Sequence, residues 1–364
     1  MTIRRRAFAT AVEQPPGTPL HSAIAGGNEA ITMNRPMRTL PLVAAALALA
    51  CGQTLAPAGE AVPASAAGTC YLFTYFTKNG EDGLHLAWSR DGYTWEALNG
   101  GRTFLAPQVG REKLVRDPCA VRGPDGTYHM VWTCGWWENG IGYASTKDFL
   151  HWSVQQEIPV MASEPKVRNS WAPEIDYDAK RGEFLIFWAS TIPGKFPETA
   201  GSSESDLNHR IYCTTTKDFV TFTPTRLFYD PGFSVIDATI LPANGRFHLI
   251  VKDETVKPPK KHLRIASSDD MAGPYADLGS PFTPAGLWVE GPTAIKIGDE
   301  YLVYCEAYMQ KHYCAMRSRD LQTWEDVTAK VAFPREGTPG RMKHGTVIAV
   351  PAEIVARLQA AAGI

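Results

Sequence analysis

The chain lacks three features, and each absence removes a class of protein. It has no apolar run long enough to cross a bilayer: the run from Leu40 to Ala50 is about 11 residues, roughly half of what a spanning helix needs. Its 7 cysteines include no Cys-x-x-Cys pair, which excludes a zinc knuckle. It has neither a charge excess nor a long basic run, since 36 Lys+Arg stand against 38 Asp+Glu. That balance argues against nucleic acid or an anionic membrane as partner, because binding to either rests on many basic contacts that release counterions. What the chain does have is turn residues and aromatics: 31 Gly and 27 Pro, with 10 Trp, 13 Tyr and 15 Phe, in 364 residues of which 44% are hydrophobic. Such a composition supplies a sizeable core and favours many short strands over long helices.

Residues 33–66 read as an export signal and linker. Met33 opens a short basic stretch with Arg35 and Arg38, the apolar run follows, and Ala64-Ser65-Ala66 is a small-x-small cleavage site. Cys51, directly behind Ala48-Leu49-Ala50, offers the alternative of a lipid-anchored cysteine, although the usual Leu three residues ahead of it is missing. Residues 1–32 are then an upstream extension outside the fold, with translation starting at Met33 or Met37. The expected destination is secreted or periplasmic. Export permits disulfides. Cys305 and Cys314 flank a hairpin turn near Met309 and would face each other across it, as a bridge or as buried thiols.

From about residue 67 the chain repeats itself. An apolar strand is followed by a second strand, a turn with Ser/Thr and Asp, and an aromatic. The turns fall at Asp91, Asp148, Asp218, Asp269 and Asp320, with Trp95, Trp152, Phe222, Tyr275 and Trp324 behind them. A period of about 50 residues carrying short strands is that of a β-propeller blade. The repeated aspartates are therefore scaffold, capping turns through backbone amides. Residues 193–208 stand out as a polar insertion, and Asn208-His209-Arg210 behind it reads as a solvated loop. Five further segments at the same period read as innermost strands, headed by Asp117, Glu174, Asp237, Glu290 and His344. The last has no blade after it and is expected to pair with residues 71–98, closing the ring from both chain ends. The expected fold is all-β: a five-bladed propeller over 67–351, with a tail and short helix at 352–364.

Four carboxylates and a histidine meeting at one end of a channel would have their pKa values pushed apart, by burial on one side and by neighbouring cations on the other. Glycoside hydrolysis needs that separation, with one carboxyl protonated for the leaving oxygen and one ionised. The ordered set Arg116-Asp117-Pro118, Trp171-Ala172-Pro173-Glu174, Ile236-Asp237, Glu290-Gly291-Pro292 and His344-Gly345 resembles glycoside hydrolase family 43, whose members are five-bladed propellers acting on furanosides and xylosides. The resemblance covers nearly all of residues 71–351. It implies Asp117 as the base that activates water, Glu290 as the general acid, and Asp237 as the carboxylate that tunes and orients the acid, with inversion at the anomeric carbon. It also implies a calcium or sodium ion in the central channel, held through waters ordered by His344, although none is required for the chemistry. Glu174 departs from the family's more usual Asp and is expected to touch a sugar hydroxyl or to form a structural salt bridge. Trp136, Trp137, Trp171, Trp288, Glu254 and Arg116 complete the expected substrate contacts. The partner is then an oligo- or polysaccharide, and the enzyme a monomer. Two other readings are a retaining fructan-hydrolase-like enzyme, for which the nucleophile motif and trailing sandwich are missing, and a glycan-binding propeller without catalysis. The binding propeller is disfavoured because the axial heads differ from blade to blade while the turn motif repeats.

Overall fold

The computed structural model describes residues 68–334 and 341–363. The export signal, Cys51 and the upstream extension read from the sequence lie outside these residues. Short apolar strands bounded by Gly, Pro and Asp turns fold into antiparallel meanders. Blade I holds β1 (Thr69–Tyr75), β2 (His85–Ser89) and β3 (Glu96–Ala97). Blade II holds β4 (Arg116–Arg122), β5 (Tyr128–Thr133), β6 (Ile141–Thr146) and β7 (Gln156–Ile158). Blade III holds β8 (Trp171–Asp178), β9 (Glu183–Thr191), β10 (His209–Thr216) and β11 (Arg226–Tyr229). Blade IV has three strands, β12 (Val235–Ala243), β13 (Arg246–Asp253) and β14 (Leu263–Ser268), and blade V has β15 (Glu290–Ile297), β16 (Glu300–Ala307), β17 (His312–Ser318) and β18 (Glu325–Asp326). The last strand, β19 (Val347–Pro351), runs antiparallel to β1, with Cys70 opposite Val350 and Phe73 opposite Val347. Both chain ends thus build blade I, and the fold is a five-bladed β-propeller. A short helix, α1 (Ala352–Ala362), packs Ile354, Val355 and Leu358 into the same apolar cluster as Leu72 and Leu86 of blade I.

Where a fourth strand of blade IV is expected, an irregular segment takes its place. Ala276 and Gly279 donate their N–H groups to the carbonyls of Ser267 and Ile265 at 2.9 and 2.8 Å, so the edge of β14 is still partly paired. The turn aspartates cap as expected: Asp91 Oδ1, for example, accepts from the N–H groups of Tyr93 and Thr94 at 2.7 and 2.9 Å. In blade IV the capping residue is Asp270, which accepts from Ala272 N–H at 2.9 Å, and not Asp269, which instead pairs with Arg246. The turn is Ser-x-Asp in spacing, so Ser268 selects Asp270. Cys305 and Cys314 are cross-strand partners, their sulfurs 3.0 Å apart, buried and present as thiols.

The innermost strands β4, β8, β12, β15 and β19 neighbour one another around the axis. Four of them break register at the same place. Between Arg116 and Cys119, Trp171 and Glu174, Ile236 and Thr239, and Glu290 and Thr293, two residues face one on the next strand. The first residue of each bulge, Asp117, Ala172, Asp237 or Gly291, has a left-handed backbone with φ of 50, 44, 51 and 57°. The five heads are therefore not equivalent positions. Asp117 and Asp237 sit on the bulge, Glu290 immediately before it, and Glu174 just past it, deeper along the axis.

Candidate active site

A bulge turns one side chain out of the strand's alternation, and here it aims Asp117 and Asp237 toward the same point as Glu290 and His344. His344 is the hub. Its Nδ1 stands 3.0 Å from Asp117 Oδ1 and 3.9 Å from Asp237 Oδ2, and its Nε2 stands 3.2 Å from Glu290 Oε1 and 3.5 Å from Glu306 Oε2. The bulges also supply hydrogen bonds. Gly291 N–H donates to Asp237 Oδ2 at 2.8 Å, and Thr133 Oγ1 donates to Asp117 Oδ2 at 2.8 Å while accepting the N–H of Ala172. A hollow of about 20 Å3, lined by Asp117, Glu174, Asp237 and His344, lies between these groups, enough for about one water. A groove of about 840 Å3 lies elsewhere, beside Phe282 and Trp324 of blades IV and V. Of its carboxylates, Asp320 and Asp326 cap turns and Asp277 is exposed, whereas at the hub four carboxylates lie within 3.9 Å of one imidazole.

The charges at the hub separate as hydrolysis requires, though not in the order expected. Burial pushes Asp117 upward, but the contact with His344, helped by Arg116 and Thr133, outweighs it and holds this carboxyl below its ordinary value. Burial likewise opposes ionisation of Glu290, and Lys252, whose Nζ lies 2.9 Å from Oε2, together with His344 reverses the effect and keeps it low. Asp237 goes the other way. Burial, reinforced by Glu290 and Asp117, raises it to about 6 despite His344 and Lys252. His344 is raised well above its ordinary value, because pairing with Asp117 and Glu290 overcomes burial. In the free site, then, His344 is the imidazolium and Glu290 is ionised, while Asp237 holds a proton below about pH 6 and gives it up above that.

Glu174 lies further down the channel. Its oxygens accept from Thr239 Oγ1 at 2.9 Å and Thr346 Oγ1 at 3.4 Å, and burial, with Asp176 beside it, raises it well above the carboxylate range. Burial alone lifts Asp176 to about 7. Among the described residues neither has an ion-pair partner, so the salt-bridge reading of Glu174 is not met.

The aromatic rim forms above blades II and III. Trp136 and Trp137 pack on Trp171 with centroids 5.5 and 5.7 Å apart, and Trp171 Nε1 donates to the Trp136 carbonyl at 2.7 Å. Trp137 is the most open, 47% exposed. Arg116 is sandwiched between the rings of Phe76 and Trp136, its guanidinium 4.7 and 4.2 Å from the two centroids. Trp288 stands on the opposite side beside Tyr308. Glu254, expected on the substrate, is instead turned inward: Lys252 holds Oε1 at 2.5 Å and Lys261 holds Oε2 at 2.7 Å. Nor is Asn208-His209-Arg210 a solvated loop. All three are buried, and the Arg210 guanidinium pairs with Asp230 and bonds to Asn208 Oδ1 and Thr199 Oγ1, pinning the insertion to blade III. In the sequence Lys252 stands out only as part of Lys252-Asp253-Glu254, an unusually polar end to an apolar strand, and Lys261 does not stand out at all.

No helix among the described residues is long and apolar enough to cross a membrane. A family model described as "Probable glycosyl hydrolase domain", from the group related to glycoside hydrolase family 43, matches residues 67–355. A curated alpha-L-arabinofuranosidase from Bifidobacterium longum subsp. longum is 26% identical over 338 residues, covering 73% of this chain and 31% of that protein. The chain thus spans about a third of that relative's length. Similar solved structures include an alpha-L-arabinofuranosidase from Lactobacillus brevis, at 17% identity and TM-score 0.44, covering 59% of this chain and 72% of that one. They also include an exo-beta-1,3-galactanase from Clostridium thermocellum, at 17% identity and TM-score 0.46, covering 60% and 50%. The family match takes in the whole ring and every group at its hub: the chain belongs to the glycosidases related to glycoside hydrolase family 43.

Proposed function

We propose that this is an exported, exo-acting, inverting glycosidase that works as a monomer and removes a terminal furanose or pentose from plant or microbial polysaccharide. α-L-Arabinofuranoside is the first choice, supported by the name of the curated relative; β-galactofuranoside and β-xyloside follow. One observation carries the mechanism. An imidazole stands between Asp117 and Glu290 with a carboxylate at each nitrogen. That spacing suits a water-bridged inverting pair, about 6.5–9.5 Å apart, better than the about 5–5.5 Å of a retaining pair. Asp117, held ionised, takes a proton from water as the water attacks the anomeric carbon. Glu290 passes to the leaving oxygen a proton that it shares with His344 Nε2. Asp237, the carboxyl of the three that ionises last, orients the pair and, below about pH 6, limits the negative charge of the cluster.

Exo action is supported by a wall of contacts along one side of the funnel. Arg168 lies over Trp137 at 5.3 Å and donates to the Ser205 carbonyl of the insertion, and Val256 N–H is bonded to Ser202 O at 2.8 Å. Trp136, Trp137, Trp171 and Trp288 offer ring faces for sugars, and Arg116 shapes the rim. The channel also suits a hard cation, since Glu174, Asp176, Thr239 and Thr346 present oxygens and the two carboxyls have no ion-pair partner among the described residues. These residues would hold calcium or sodium, with His344 facing its waters, and the ion would supply fixed positive charge beneath the sugar.

The test is turnover of aryl arabinofuranoside, galactofuranoside and xyloside by the purified protein, with NMR identification of the first-formed anomer. Asp117→Ala and Glu290→Gln are expected to lower kcat by about 10²–10⁴-fold while the protein stays folded. A retained anomer would remove Asp117 from the role of base.

A further inference from the structure

We propose that Lys252, Glu254 and Lys261 are positioning residues for the leaving-group side of the reaction: a buried file of alternating charges that clamps Glu290 and ties it to the insertion at residues 193–208. The proposal rests on the reading of Glu290 as proton donor. The file runs outward without a gap. Lys252 Nζ lies 2.9 Å from Glu290 Oε2 and 2.5 Å from Glu254 Oε1. Lys261 Nζ lies 2.7 Å from Glu254 Oε2 and 3.3 Å from Glu204 Oε1, and Glu204 belongs to the insertion.

Burial is what makes this arrangement informative. The Lys252, Lys261 and Glu254 side chains are 2%, 1% and 9% exposed. Taking ions out of water costs several kcal/mol each, and well-packed apolar side chains of similar volume are often as stable or more so. A fold needing only packing here would have no use for three charges. Their backbones are tied to the site as well. Lys252 pairs with Ile236, the residue before the Asp237 bulge, and the Lys261 carbonyl accepts the N–H of Val289, the residue before Glu290 at 3.0 Å. Tyr308 lies 4.7 Å from the Lys252 ammonium and Trp288 lies 5.9 Å from that of Lys261, so each lysine also rests on an aromatic ring. The consequence is directional. With Oε2 held by Lys252, Oε1 is the oxygen left facing His344 Nε2 and the sugar. The groups facing Glu290 are then Lys252 from β13 and His344 from the segment before β19, with Asp117, Asp237 and Glu306 behind His344 and Tyr308 beneath Lys252.

The experiment compares full-length wild type, Lys252→Met, Lys252→Arg, Lys261→Met and Glu204→Gln on two furanosides of the same sugar. One carries a nitrophenol leaving group that needs little proton assistance, the other a methyl group that needs much. Lys252→Met is expected to lower kcat on the methyl furanoside by about 10²–10³-fold and on the nitrophenyl furanoside by less than about tenfold, with KM changed little. Lys252→Arg restores most of the loss, and Lys261→Met shows a smaller loss of the same kind. In a second arm, carboxyl-¹³C NMR follows the Glu290 titration without substrate: losing the Lys252 cation moves its midpoint upward, and losing Lys261 moves it less. Equal losses on both furanosides, a change in KM alone, or an unmoved Glu290 titration would overturn the proposal. If wild type hydrolyses neither furanoside, the functional reading fails by itself, and the substrate-free titration still decides on the file. If Lys252→Met does not fold, Glu204→Gln carries the test, since Glu204 is 58% exposed; it is expected to show the leaving-group bias weakly, and no bias there or in Lys261→Met sinks the proposal.

Discussion

Asp237 is the residue on which the electrostatics of the hub turn. It is 7% exposed, its Oδ2 accepts the Gly291 N–H, and burial among like charges raises it from 3.8 to about 6. Because the folded-state value lies above the unfolded one, what the fold stabilises is the neutral carboxyl. That contribution is complete below pH 3.8 and is lost as pH rises through about 6. Asparagine keeps the acceptor oxygen and can never ionise. Asp237→Asn is therefore expected to be more stable than wild type at pH 8, by at most about 3 kcal/mol, with the difference closing near pH 4. Its kcat should fall at both pH values. Thermal unfolding of the two proteins at pH 4 and pH 8 checks this, and a stability difference independent of pH would refute it. His344 adds to the same slope: its raised value means that its pairing energy is present below pH 6.5 and lost as pH rises through the folded value.

At the scale of the strand, the device is the axial bulge. Aspartate tolerates a left-handed backbone better than most residues, which lets Asp117 and Asp237 occupy the turned-out position at φ 50 and 51°. At the same position in β15 only glycine fits, because a Cβ on Gly291 would lie 2.4 Å from His344 Cγ. Gly291→Ala must push the imidazole off its carboxylates, while the outer strands of blade V are untouched. The expected result is a loss of at least about 10²-fold in kcat/KM, since misplacement of about 1 Å costs that much, with thermal unfolding lowered far less than in a core variant. Activity within tenfold of wild type would show that His344 does not need its present position. The bulge also explains which parts of the site were legible in the sequence. The blade period and the order of Asp117, Asp237, Glu290 and His344 are local patterns that a reader can count. Whether each head stands on, before or past the bulge depends on pairing with the next strand, so Glu174 reads as an equal of the others although it lies deeper. The partners of Arg210 and Glu254 are brought together by folding, so their burial left no mark beyond charge beside apolar runs.

For the whole molecule, the decisive contact is the closure of the ring. β19 pairs with β1 over five residues, from Thr69 opposite Pro351 to Phe73 opposite Val347. It also places Val347 in the cluster with Phe73, Trp95, Leu302 and Tyr304, which spans blades I and V, while Val350, Ile354, Val355 and Leu358 cover Leu72 and Leu86. Burying five such side chains contributes about 8–15 kcal/mol, as much as the whole stability of a typical domain, about 5–15 kcal/mol. A chain ending at Thr346 loses that contribution and leaves β1 as a bare edge ready to pair with another molecule. His344, just upstream, also loses the strand behind it, and its segment is left held by the bonds between Thr346 and Thr74 and by Lys343 N–H on the Phe76 carbonyl. The truncated chain is expected to show no cooperative unfolding transition, to elute from size exclusion as aggregate and to be inactive, whereas Leu358→Ala, a single deletion in the same cluster, costs about 2–5 kcal/mol and stays folded. A synthetic peptide of residues 347–364 added during refolding should then recover part of the activity by supplying the missing strand. A truncated chain that unfolds cooperatively without the peptide would mean that the ring holds together through its blade-to-blade packing alone.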